Sequence, residues 1–119
     1  MAKTFIQEGR VIDYTASAAV KSGDVVVMGQ LVGVALNDIA AGETGPVQID
    51  GVWELPKVSA SVINQGESVN WDDSASEFDA NSATPAAGDL TGGCVAVADA
   101  GNGATTVWVK LNVGPNTVH

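Results

Sequence analysis

Short apolar runs recur along the chain at strand length, separated by Gly, Asp, Asn and Ser. That spacing predicts strands and turns rather than amphipathic helices. The clearest run is VQIDGVWEL, where Val47, Ile49, Gly51, Trp53 and Leu55 share one face and Gln48, Asp50, Val52 and Glu54 the other. Pro56 closes it, because proline has no N–H to give to a ladder. The same pattern predicts strands over 4–7, 11–15, 25–28, 31–36, 69–72, 94–98 and 105–112, and leaves 58–63 ambiguous between helix and strand.

Turn chemistry groups these strands. Two apolar runs flank 100–104, where Asn102-Gly103 offers the positive-φ conformations of a tight hairpin. A second hairpin is expected around the Gly-rich connector 37–46. Gly23, Gly42, Gly45, Gly66 and Gly103 are assigned as shape-determining turn positions. A Gly-acid turn feeds a strand in SGDVVVMG and again in QGESVNWD, a weak internal echo that points to two related half-units. Residues 73–89 hold few large apolar side chains and read as a flexible surface loop, with one turn of helix around Phe78.

The fold class that follows is mostly β: a small β-sandwich or tulip-like β-barrel of short antiparallel strands with Gly-rich hairpins and little helix. At 119 residues the chain suits one domain, 1–119, with 1–9 as an N-terminal arm. Hydrophobic residues make up 45% but aromatics only 5%, so small branched side chains must build the interior around Trp53, Trp71 and Trp108. Five Lys+Arg against 14 Asp+Glu give a formal net charge of −9, which repels phosphate backbones and argues against a nucleic-acid partner. No run of about 18 apolar residues predicts a membrane span, and the opening MAKTFIQEGR lacks a secretory apolar core, so synthesis in the cytoplasm is expected.

Each feature that suggests chemistry has a plainer explanation. The only His is His119, so Ser-His and Cys-His dyads are not expected. Cys94 is the sole cysteine, opens an apolar run, and reads as a packing residue. GNGATT has glycines but neither a following Lys nor a helix to bind phosphate. Asp72, Asp73, Glu77 and Asp79 could offer oxygens to Ca²⁺, though their spacing is not that of an EF-hand and a solvated acidic loop explains them. Glu43, Glu54 and Glu67 sit beside turn glycines or on polar strand faces. Trp71 or Trp108 could stack on a sugar. Burial is expected for Trp53 and Trp71, while Trp108, alternating with Val107 and Val109, is expected at an interface.

Taken in order, SGDVVVMG, VGVALNDIAAGETG, GVWELPK, NWDD and the late VWVKLN resemble the capsid cement, or head decoration, proteins of tailed phages and prophages. The resemblance spans nearly the whole chain. It implies a β-sandwich or tulip-like domain, commonly a homotrimer, docked on the outer surface of a mature capsid where major capsid subunits meet. It implies neither catalysis nor a cofactor. Capsid contacts are expected from the arm, Lys3, Thr4, Phe5, Ile6, Gln7 and Glu8, acting as an added strand or as the first strand of the domain. The alternative is a non-catalytic carbohydrate-binding β module of a virion or secreted protein.

Overall fold

A computed structural model describes residues 10–119, so the arm and its strand over 4–7 lie outside the described residues. Among those described there are ten strands and no helix: β1 (Val11–Thr15), β2 (Val25–Met28), β3 (Leu31–Ala35), β4 (Thr44–Gln48), β5 (Val52–Pro56), β6 (Ser68–Asp72), β7 (Glu77–Ala80), β8 (Leu90–Ala96), β9 (Thr106–Lys110) and β10 (Thr117–Val118). They form two antiparallel sheets in a sandwich-like domain. One runs β1-β4-β3-β2; the other runs β5-β9-β8-β6-β7, with β10 on β8. The second sheet curls back on itself. A parallel bridge joins Lys57 to Phe78, and Val58 N–H donates to the Phe78 carbonyl at 2.9 Å.

The order β1-β4-β3-β2 is repeated by β5-β9-β8-β6, and the register repeats with it. Val11 faces Gln48 as Val52 faces Lys110, and Asp13 faces Pro46 as Glu54 faces Trp108. Val34 faces Gln48 and Ala35 faces Val47, as Val95 faces Lys110 and Ala96 faces Val109. Val25 faces Val34 as Ser68 faces Val95. The turns match too. Gly23 N–H donates to the Ala35 carbonyl and Ala35 N–H to the Asp24 carbonyl; Gly66, Ala96 and Glu67 do the same, all at 2.8–2.9 Å. The acid of each turn closes it by accepting from a backbone amide three residues earlier, Lys21 N–H on Asp24 at 3.0 Å and Asn64 N–H on Glu67 at 2.7 Å. Asp38 and Asp99 accept from Ser22 and Gln65 N–H, and the bridge Val20–Ile39 reappears as Ile63–Ala100. The faint echo of SGDVVVMG in QGESVNWD is thus a residue-for-residue structural repeat, with the β6–β7 hairpin inserted in the second unit.

Strand alternation divides the core. In the first unit Val26, Ala35, Val47 and Ile39 point to one side, where Ala16 and Val20 cover them. The corresponding Val69, Ala96, Val109 and Ala100 line the interior of the curled second sheet with Leu55, Trp71, Phe78 and Leu90. Val32 and Val34, on the other face of the first sheet, join that same larger cluster and so bind the units together. Each buried branched side chain contributes on the order of 1.5–3 kcal/mol. Trp71 and Phe78 add an edge-to-face contact, with centroids 4.9 Å apart at 63°.

Two asparagines tie the units together. Asn112 accepts from Val32 N–H at 3.0 Å and donates to the carbonyls of Val32 and Ile49 at 2.6 Å. Asn116, 2% exposed, accepts from Gly93 N–H and donates to the Gln30 carbonyl, both at 2.9 Å.

Several expectations need correction. VQIDGVWEL is not one strand but the junction between units: β4 ends at Gln48, β5 starts at Val52, and Gly51 takes φ +90° between them. Asp50 braces that corner, its carbonyl accepting from the Trp53 indole at 2.9 Å. Alternation ran through the corner because Gly51 occupies a position on the apolar face without breaking the period. Phe78 lies in β7, fully buried, not in a helical turn, so 73–89 is not one continuous loop. The carboxylate of Asp72 accepts from Ser74 and Ala75 amides and the Ser74 hydroxyl, and Ser76 takes φ 54°, so a tight hairpin forms without glycine. Strands β8 and β9 do pair, but Gly101–Ala104 is one turn within a longer connection. There only Gly103 of the Asn102-Gly103 pair has positive φ, at +96°.

Replacing Asn112 by Ala strands the Val32 amide in the core and places a methyl side chain at φ 49°. The expected loss is about 1–3 kcal/mol, read as a lower denaturant midpoint with an unchanged slope.

Candidate functional site

The second sheet shows an open ribbon. On β5 and β9 the side chains that point away from the core are Val52, Glu54, Trp108 and Lys110, all exposed, because Trp53, Leu55, Val107 and Val109 take the inward positions. Trp108 is 52% exposed and Val52 54%. The Trp108 indole N–H donates to the carboxylate of Glu54, its partner on the neighbouring strand, at 3.0 Å, which tethers the exposed ring. A shallow hollow of about 360 Å³ lies against Val52, Glu54 and Trp108. A second, of about 320 Å³, lies on the 98–108 side of the same ring.

The other aromatic candidate is elsewhere. Trp71 is 3% exposed, packed on Phe78, so it presents no stacking surface and the sugar-platform reading is corrected to Trp108 alone. Trp53 is half-buried against the main core.

The acidic residues do not converge. Asp72 is committed to its turn, and the Ser74 hydroxyl, followed by the Ala75 amide, holds its carboxyl below the usual carboxylate value. Asp73 accepts from the Trp71 indole at 3.3 Å, and Asp79 bonds the Ser61 hydroxyl and the Ala80 amide. Glu67 closes its turn and Glu54 holds Trp108. Among the described residues no group of three or more His, Cys, Asp or Glu side chains is placed to hold a metal ion. Cys94 is fully buried in the middle of β8, and burial pushes its thiol pKa up. His119 contacts the Thr91 hydroxyl at 2.9 Å.

The assigned turn glycines separate into two kinds. Gly23, Gly42, Gly66 and Gly103 all have positive φ. Gly45 does not sit in a turn: it lies inside β4, where a Cβ would come within 2.6 Å of the Ile39 side chain, so it is required by close packing. Lys3, Thr4, Phe5, Ile6, Gln7 and Glu8 lie outside the described residues.

Sequence reasoning missed Lys57. It is 1% exposed, and its ammonium donates to the carbonyls of Val58 at 2.8 Å and of Gly101 and Ala104 at 3.2 Å, with Ser59 at 3.5 Å. The corresponding place in the first unit belongs to Ala16, also buried. A lysine after Pro56 gives no signal of burial, since its cage comes from carbonyls distant in sequence. It pins the 101–104 turn beside Trp108.

These features define a class: an all-β, two-unit protein whose distinctive surface is an exposed ribbon rather than a cleft of converging ionisable groups. The chain belongs to the phage cement protein family, whose sequence model matches residues 6–111. Membership carries a capsid-associated structural role. No curated protein matches the chain. No helix among the described residues is long and apolar enough to cross a membrane.

Lys57→Met deprives the carbonyls of Val58, Gly101 and Ala104 of their common donor. The expected cost is about 1–3 kcal/mol, seen as a lower thermal midpoint together with faster amide exchange at Ala104.

Proposed function

We propose that this protein is a non-catalytic clamp on the outer surface of a mature tailed-phage capsid, bridging neighbouring major capsid subunits and acting as a homotrimer on the virion. The observation that carries this reading is the family match across residues 6–111. The fold is consistent with it, because the polar side chains described are engaged in closing turns, in holding the 101–104 loop and, at Asn112 and Asn116, in joining the two β units. The physics is linkage. A ligand that binds only the assembled lattice stabilises it by about 2.7 kcal/mol per site at a hundredfold excess over Kd, and many sites multiply modest contacts.

In this reading the arm, Lys3 to Glu8, supplies capsid contacts immediately before β1. The exposed face of Trp108 favours a second reading, glycan binding on the same virion surface. Titrating glycans against the intrinsic fluorescence separates the two, since the clamp gives no shift.

Deleting residues 2–8 should remove binding to expanded capsids in co-sedimentation while leaving the circular dichroism melt of the purified protein intact. Full capsid occupancy by the truncated chain would dismiss the arm's role.

A further inference from the structure

The repeat sets each position of one unit against its counterpart in the other, and burial does not match. Beside Val26 and Val47 on the first sheet, Tyr14, Val20, Met28 and Ile49 are only partly buried. Ladder register, the isolated bridges and the turn bonds pair these four with Leu55, Ile63, Trp71 and Leu111. None of those is more than 3% exposed. Equivalent apolar positions are therefore closed in the second unit and open in the first.

The element that differs is β7. It lies along the outer edge of β6, with Phe78 opposite Trp71 and ring against ring, and its bridge to Lys57 closes the sheet beside Leu55. The counterpart of β6 is β2, which has β3 on one side and, among the described residues, no strand on the other. Bonded pairs alternate along an antiparallel ladder, and Ala35 N–H donates to the Asp24 carbonyl across this one. The backbone N–H and C=O groups of Val25 and Val27 therefore face the open edge. Asn70, the counterpart of Val27, meets Asp79 of β7 at that place. The first unit lacks one wall, and the second shows its form: an antiparallel strand with a large apolar side chain where β7 has Phe78.

We propose that β2 is a capsid-binding edge: an extended segment of a capsid subunit adds to it as a further strand and lays a large apolar side chain over Tyr14, Val20, Met28 and Ile49. This rests on the capsid reading above and specifies one of its contacts. Charge selects this occupant over a second copy of the chain. Residues 10–50 hold five acids against Arg10 and Lys21, and Arg10 already lies 3.7 Å from Asp50. Asp24 leads into β2, and Glu43 stands where β1 ends, its carbonyl accepting from the Ala16 amide; both are exposed. The segment that fits carries Lys or Arg beside its apolar residue, whereas another copy, with a net charge of −9, brings more acid. Backbone pairing along the edge supplies affinity, and the apolar face selects the side chain.

Amide exchange and two substitutions test this. In the free chain the Val25 and Val27 amides should exchange faster than those of Val26 and Met28, and on expanded capsids they should slow by about tenfold or more. Val27→Pro removes an edge donor without touching the β3 ladder and should weaken co-sedimentation with expanded capsids about tenfold. Met28→Lys sets a charge beneath the added side chain and should weaken it about a hundredfold. Circular dichroism melts check that both variants fold, and the exchange measurement, made on the parent, decides the matter even where one does not. Unchanged exchange on bound capsids overturns the proposal, as does a folded variant that binds like the parent. Amides already slow in the free chain overturn it too: protection lost on dilution assigns the edge to a second copy, and protection lost on deleting residues 2–8 assigns it to the arm. A parent chain that fails to co-sediment with capsids at all removes the capsid reading itself, a result distinct from these.

Discussion

Two backbone hydrogen bonds, made once in each half of the chain, set everything downstream. Where Gly23 and Gly66 give their amides to Ala35 and Ala96, and those alanines give theirs to Asp24 and Glu67, the strand leaving the turn is locked to its neighbour. A slip of one residue would send Val26 and Val69 to the opposite face. Because side chains alternate, this one constraint decides which valines enter the core and which residues are left on the β1/β4 and β5/β9 ribbons. Glycine is needed because the turn holds φ near +90° while its amide bonds across the sheet. The acid that follows closes the turn through its side chain.

The two units are alike in frame and unlike in outer face. The first sheet presents Val25, Val27, Val32 and Val34 where the second presents Ser68, Asn70, Gly93 and Val95. The apolar face can only be covered, and the curled second sheet covers it. The polar face is finished with hydrogen bonds instead. Asn70 donates to the Ala83 carbonyl, and Asn116 sits so close over Gly93 that a Cβ there would come within 2.5 Å of it. Apolar on one unit and polar on the other, this difference lets the repeat pair once within a chain and then stop, rather than stacking into an open array.

Much of this was legible from residue order. Alternation located β1, β2, β3, β6 and β9 to within a residue or two, and the Gly-acid turns announced both units. What escaped notice depends on contacts distant in sequence. The corner at Asp50-Gly51 preserves the period of two, so alternation cannot reveal that β4 and β5 belong to different sheets. The hairpin at 73–76 is closed by an aspartate cap and a serine at positive φ, so it lacked the glycine that marks the others. For the candidate site, the exposure of Trp108 followed from its place opposite Val107 and Val109.

Charge bears on how such a surface can work. With a formal net charge of −9, copies of this chain repel one another and any acidic surface at long range. Lys57, one of only five Lys and Arg residues, is spent inside the fold on backbone carbonyls. Any surface this chain docks on is therefore held by short-range contacts, which act only when the two surfaces are aligned. Repulsion at distance combined with attraction on contact rewards a rigid, correctly spaced target over a diffusing one. The two sheets, tied by Asn112 and Asn116, supply the rigidity that such a geometry requires.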